Sequence, residues 1–89
     1  MNLNKIPLKN KRIASRSIEE GEVLIFLDDP STCLIEGANS IVWKMIDNKR
    51  SINRIISKIS KDYENKNKIK TYVLEAINDL KKIRAIKLK

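Results

Sequence analysis

Few side chains in this sequence are suited to catalysis. Histidine is absent and Cys33 is the single cysteine, so imidazole-based acid–base catalysis and an intrachain disulfide are excluded. The adjacent acids Glu19/Glu20 and Asp28/Asp29 are poor acid–base pairs, because neighbours in a strand face opposite ways and turn carboxylates are usually solvated. The two glycines are too few for a phosphate-binding glycine-rich loop. We therefore expect no enzyme activity, no metal site and no cofactor.

The size and composition favour one small globular domain in the cytoplasm. The chain has 89 residues, of which 42% are hydrophobic and 34% charged, enough apolar material for a single core. No apolar run approaches the roughly 18 residues of a membrane-spanning helix. Residues 1–7 lack the apolar region of a signal peptide. We expect Cys33 to be a small buried thiol in a reducing compartment.

The positive charge is concentrated in the second half. Residues 1–37 carry five basic and six acidic side chains, a net charge of −1. Residues 38–89 carry fourteen basic and five acidic side chains, a net charge of +9. A polyanion, an acidic peptide or a membrane surface are all possible partners for such a half, and a solvated lysine-rich surface is the simplest interpretation.

The first half has the pattern of three short strands. Residues 12–18 alternate weakly, residues 22–27 form a β-branched and aromatic run, and residues 32–36 form a short third strand. Turns at residues 19–21 and 28–31 separate them, which predicts an antiparallel meander. Residues 1–11 are polar, and we predict that they form a flexible tail outside a domain spanning residues 12–89.

From Ala38 onward the apolar period lengthens to about 3.6 residues, which predicts three helices. Asn48 is a candidate left-handed cap for the first helix, and Ser51 is a good N-cap for the second. The stripes are Ala38, Ile41, Val42, Met45 and Ile46 with Trp43 on the flank; Ile52, Ile55, Ile56, Ile59 and Tyr63; and Ile69, Tyr72, Val73, Ala76, Ile77, Leu80 and Ile83. Residues 84–89 alternate again and predict a short extended segment.

These patterns predict an α+β fold in which a three-stranded antiparallel sheet is followed by three helices. The sheet must cover a helical layer, since neither half can bury its apolar side chains alone. The last two helices, joined by a short polar turn, suit a helix-turn-helix. We predict that Ile41, Trp43, Ile55, Ile56, Val73 and Leu80 lie in the core.

The third helix offers a candidate binding surface beside its core stripe. Lys70, Leu74, Ile77 and Lys81 share one edge that is apolar in the middle and basic at both ends. Such an edge suits an amphipathic or acidic peptide, although a single exposed leucine also needs no special explanation.

The third strand is the other candidate wall of this groove. If it lies at the edge of the meander, its backbone is a template for an incoming strand, either antiparallel or parallel. The candidate peptide-binding residues are Thr32, Cys33, Leu34, Ile35, Glu36, Lys70, Leu74, Ile77 and Lys81.

The order of motifs over residues 12–88 resembles the PqqD family, whose members are also described as recognition elements for ribosomally synthesised and modified peptides. Ile35-Glu36 stands where the family usually has Leu-Asn, and Asn48 where it usually has Gly. The motifs are Gly21-Glu22-Val23-Leu24, Leu34-Ile35-Glu36-Gly37-Ala38, Ile41-Val42-Trp43-Lys44-Met45-Ile46-Asp47, Ser51-Ile52-Asn53-Arg54-Ile55-Ile56, Tyr63, and residues 73–80.

The resemblance implies a winged helix-turn-helix-like fold without catalytic activity. It implies that the leader region of a precursor peptide adds as a strand beside residues 32–36 and packs against the third helix. The domain would then present the peptide to a modifying enzyme, either a radical S-adenosylmethionine (SAM) maturase or a leader peptidase.

Two other functions remain open. The basic second half suits a winged-helix nucleic-acid-binding protein, although the third helix offers Lys, Leu, Glu and Asp rather than the Arg, Asn or Gln that read base edges. Both tyrosines also fall on core stripes, which removes the stacking platforms for bases. The other possibility is an interaction subunit of a larger complex.

Overall fold

The computed structural model describes residues 2–19, 21–26, 32–62 and 65–89 of the chain. The predicted α+β class, with a three-stranded antiparallel sheet followed by three helices, is confirmed. No helix in these ranges has the length and apolar character needed to span a membrane. The elements are β1 Pro7–Lys9, β2 Ala14–Glu19, β3 Glu22–Phe26, β4 Thr32–Glu36, α1 Ala38–Met45, α2 Ile52–Ser60, α3 Lys66–Lys82 and β5 Ile86–Leu88.

The main sheet has the strand order β2-β3-β4, as predicted for a meander. Gly21 connects β2 to β3 with φ 81°, a conformation that glycine adopts without strain. A register shift between Ser17 and Glu19 interrupts the β2–β3 ladder. Leu27, the turn at residues 28–31 and Tyr63 lie outside the described residues.

The second and third helices begin at residues whose side chains cap them. The Ser51 hydroxyl accepts a hydrogen bond from the Arg54 amide at 3.3 Å, so the predicted N-cap of α2 is confirmed. Asn65 caps α3 in the same way, accepting from the Lys68 amide at 3.2 Å. Asn48 is left-handed with φ 64°, but α1 already ends at Met45.

One continuous core joins the sheet to the helices. Most of the residues predicted for it are confirmed, Trp43 included. The buried apolar residues are Val23, Ile25, Ile35, Val42, Trp43, Ile46, Ile52, Ile55, Ile56, Ile59, Ile69, Val73, Ala76, Ile77, Leu80, Ala85 and Ile86.

The predicted core face of α1 is wrong by part of a turn. Ala38 and Ile41 are exposed, whereas Ser40 and Trp43 are buried. This orientation buries the large indole instead of an isoleucine. It places Ser40 inside at little cost, because its hydroxyl lies 2.8 Å from the Gly37 carbonyl oxygen and donates a hydrogen bond to it.

Residues 2–11 do not form the separate tail that the sequence predicted. Pro7–Lys9 is a strand that pairs antiparallel with Ile86–Leu88, the extended segment predicted at the other terminus. The carbonyls of Leu3 and Lys5 accept hydrogen bonds from the amides of Asn53 and Ile52. These first-turn amides of α2 have no partner within their own helix, which is why an N-terminal segment can be held there.

Candidate peptide-binding site

β4 is one of the two edge strands of the main sheet, and β2 is the other. Within the described residues, β4 pairs with β3 alone. The Gly37 amide donates to the Gly21 carbonyl at 3.3 Å, which makes 21/37 a hydrogen-bonded pair. Hydrogen-bonded pairs alternate along an antiparallel ladder, so Ile35 also bonds inward, to β3. Leu34 and Glu36 therefore direct their backbone N–H and C=O groups toward the open edge.

The side chains of β4 divide between the core and the solvent. Ile35 is buried, and the half-buried Cys33 packs against the core. Leu34 lies on the opposite face of the sheet with 46% of its surface exposed. Thr32 pairs with Phe26 at the start of the strand. The predicted strand residues thus form an edge whose backbone, rather than its inward side chains, is accessible.

An apolar pocket of about 370 Å³ lies where β4 ends. Its walls come from the start of α1 and the N-terminal half of α3, and Ile59 of α2 also lines it. Gly37 turns the chain from β4 into α1 with φ 60°, which brings the strand edge and this pocket next to each other. The lining residues are Gly37, Ala38, Ile41, Val42, Ile59, Asn65, Lys68, Ile69, Tyr72 and Val73.

Two large apolar side chains at the pocket are uncovered. Ile41 on α1 is 41% exposed and Tyr72 on α3 is 48% exposed. The sequence predicted both for the core, and both predictions are wrong. Ile41 lies about 160° around α1 from the buried Trp43, because successive residues are about 100° apart. The exposed surfaces of Ile41 and Tyr72 are available to a ligand in the pocket.

The predicted seam on α3 does not form this pocket. Ile77 is 0% exposed and belongs to the core, so its assignment as a peptide-contacting residue is corrected. Leu74 is half-buried against the core, and Lys70 and Lys81 are exposed. Leu74 lies about 160° around α3 from Tyr72, at the other edge of the buried stripe.

A contact between α1 and α3 shows which edge of α3 faces the end of β4. The Asn39 side chain donates a hydrogen bond to Asp79 Oδ2 at 3.3 Å. Asp79 lies about 20° from Tyr72 around the helix, so the Tyr72 edge faces the start of α1. The sequence prediction chose the Leu74 edge and placed Tyr72 in the core, because no local signal tells which edge of α3 the first helix meets.

Metal coordination has no support in residues 2–19, 21–26, 32–62 or 65–89. No group of three or more His, Cys, Asp or Glu residues there could hold a metal ion. The site offers backbone hydrogen bonding at the β4 edge and apolar contact in the pocket.

The fold is similar to a solved structure titled "TbiB1 in Complex with the TbiA(beta) Leader Peptide". The TM-score is 0.75, and the alignment covers 89% of this chain and 93% of that chain. The two sequences are 13% identical, so the likeness is one of fold. No protein-family model and no curated protein sequence matches the chain.

Proposed function

We propose that this protein binds the leader region of a ribosomally synthesised precursor peptide. The peptide adds as a strand along β4, and one of its apolar side chains enters the pocket at Gly37. The observation that carries the proposal is the continuity of an open strand edge with an apolar pocket. Backbone pairing supplies affinity with little sequence demand, and the pocket supplies specificity.

The fold likeness to TbiB1 in its leader-peptide complex supports this proposal. With the motifs along residues 12–88, it leads us to assign the chain to the recognition elements for ribosomally synthesised and modified peptides, of the PqqD-like type. The chain belongs in the cytoplasm, where precursor peptides are made. It has no catalytic role, and it presents the bound peptide to a modifying enzyme, either a radical SAM maturase or a leader peptidase.

Strand addition can be tested with a proline at the β4 edge. The Leu34 amide points to the open side, so Leu34→Pro removes a donor for the peptide while sparing the ladder to β3. Leu34→Ala removes the same side chain but keeps the amide, and it is the matched control. One hydrogen bond contributes about 0.5–1.5 kcal/mol, so we expect the proline variant to bind several-fold to about tenfold more weakly than the alanine variant.

The binding measurement is calorimetric titration with the leader peptide of a precursor encoded beside this protein. Amide chemical shifts of α2 and α3 check that both variants keep the fold. Equal affinity of the two variants would contradict strand addition at β4. Tighter binding of duplex DNA than of leader peptide at physiological salt would favour the nucleic-acid function instead.

A further inference from the structure

A second cleft, of about 680 Å³, lies between the terminal strands and the segment after α1. It shares no lining residue with the pocket at Gly37. Among the described residues that line it, five side chains are cationic and none is anionic. The lining residues are Leu8, Lys9, Asn10, Lys11, Arg12, Asn48, Arg84, Ile86 and Lys87.

The backbone under these cations is held by several hydrogen bonds. Asn48 Oδ1 accepts from the Lys9 amide at 2.8 Å, which closes the outer edge of β1. The Asn10 amide donates to the Ala85 carbonyl at 2.9 Å, and the Asn10 side chain donates to the Arg84 carbonyl at 3.1 Å. The charged side chains thus project from a fixed frame made by both chain termini.

Arg84 stands at a backbone position where glycine is the usual residue. Its φ is 61°, in the left-handed region. The Arg84 amide bonds to the Lys81 carbonyl and the Ala85 amide to the Leu80 carbonyl, both at 3.0 Å, which is the Schellman pattern at the end of α3. A non-glycine residue held there is strained, and such strain concentrates at functional sites. Asn48, with φ 64°, lines the same cleft.

Within the described residues, the cations of this cleft have few counter-charges. The one ion pair among the described residues joins Arg50 Nε to Asp47 Oδ2 at 3.7 Å, outside the cleft. Asp47 is the carboxylate that acts on Lys9; burial lowers the pKa of Lys9, and the charge of Asp47 partly opposes this. The Lys9 ammonium also lies 4.4 Å from the centre of the Trp43 ring. Besides Lys9, four exposed cations can therefore attract an external anionic group: Lys11, Arg12, Arg84 and Lys87.

We propose that this cleft docks an acidic, partly apolar polypeptide segment of a partner protein. Carboxylates of the segment pair with Lys11, Arg12, Arg84 and Lys87, and its apolar side chains rest on Leu8. A single-stranded nucleic acid fits less well, because Trp43 is buried under Lys9 and the described lining of the cleft includes no exposed aromatic ring for stacking. Since the cleft and the pocket are separate, the protein can hold a peptide and a partner simultaneously. The proposal does not depend on what binds at β4.

The test uses a fluorescein-labelled synthetic peptide of glutamate and leucine as the probe. The test variant reverses three exposed cleft charges, Lys11→Glu, Arg12→Glu and Lys87→Glu. The matched control reverses the same residue types on the exposed side of α2 and just after it: Lys58→Glu, Arg54→Glu and Lys61→Glu. Both change the net charge from +8 to +2, since three reversals of two units remove six. We expect the cleft variant to bind at least about tenfold more weakly at low salt, and the control within about twofold of the wild type.

Arg84→Gly separates binding from stability. Glycine relieves the left-handed strain, so we expect a higher melting temperature together with weaker binding of the probe. Equal losses of affinity in the two triple variants would overturn the proposal, because net charge alone would then explain binding. Full affinity in Arg84→Gly would overturn the role of Arg84. Tighter binding of a thymidine oligonucleotide than of the peptide, lost in the cleft variant, would assign the cleft to nucleic acid.

Discussion

Replacing Tyr72 by alanine tests whether the pocket at Gly37 is the place where a leader peptide is recognised. The ring lines the pocket beside Ile41 and is only half covered in the free protein. Its removal therefore takes away surface that a peptide would cover, while the buried face of α3 remains. We expect a clear loss of peptide affinity and a smaller loss of stability than a core substitution causes.

The size of the effect follows from the exposed part of the ring. A tyrosine buries roughly 150–250 Å² when fully covered. Tyr72 keeps 48% exposed, which leaves about 100 Å² for a peptide to cover. At roughly 25 cal/mol per Å² this area corresponds to about 2.5 kcal/mol at most. The expected loss of affinity is thus between about tenfold and about sixtyfold.

The control is Leu74→Ala, which truncates the apolar residue on the opposite edge of α3. Isothermal titration with leader peptide gives both affinities, and thermal unfolding reports the stability of each variant. We expect Leu74→Ala to bind within a few-fold of wild type. If Leu74→Ala loses more affinity than Tyr72→Ala while both remain folded, the peptide lies on the Lys70/Leu74/Lys81 edge and the assignment to the pocket is wrong.

Two further predictions concern stability. Leu80 is 0% exposed, so Leu80→Ala should lower the free energy of unfolding by about 2–5 kcal/mol in denaturant titrations; an unchanged midpoint with lost binding would make Leu80 a contact residue. The Arg50 and Lys49 amides, which donate to Asp47 Oδ1, hold the pKa of Asp47 below its ordinary value of 3.8. The ionised form is favoured by folding, so this stabilisation is present above pH 3.8 and is lost as the pH falls through the lower folded pKa. In denaturant titrations at a series of acidic pH values, Asp47→Asn should lose less stability than the wild type as the pH falls below 3.8. The same loss of stability in both proteins would contradict the assignment.

The helices could be predicted from sequence because their signals are local. The stripe of α2 repeats at helical spacing directly after Ser51, which both caps the helix and marks where it begins. The face of α1 could not be fixed in this way. Ile41 and Trp43 are both apolar, and the choice between them depends on the sheet and on α3, which lie far away in the chain.

The strand β1 carries no signal that a sequence pattern could reveal. It has three residues, includes a proline, and pairs with a strand at the other end of the chain. Ile6 and Lys89 exchange both backbone hydrogen bonds, so the backbone nitrogen of the following residue, Pro7, points away from β5. Proline is tolerated there because no amide hydrogen is needed for pairing. The cations of the second cleft were visible in the sequence, but their grouping depends on this pairing.

The strongest argument for a ligand at the pocket is the grouping of exposed apolar residues. A single exposed leucine or tyrosine is normal on a protein surface and identifies nothing. In the described part of the chain five large apolar side chains are exposed: Ile18, Phe26, Leu34, Ile41 and Tyr72. Ile41 and Tyr72 line one pocket, and Leu34 lies on the strand whose edge leads into it. Two such residues side by side at one pocket fit the proposed peptide, which would cover both of them.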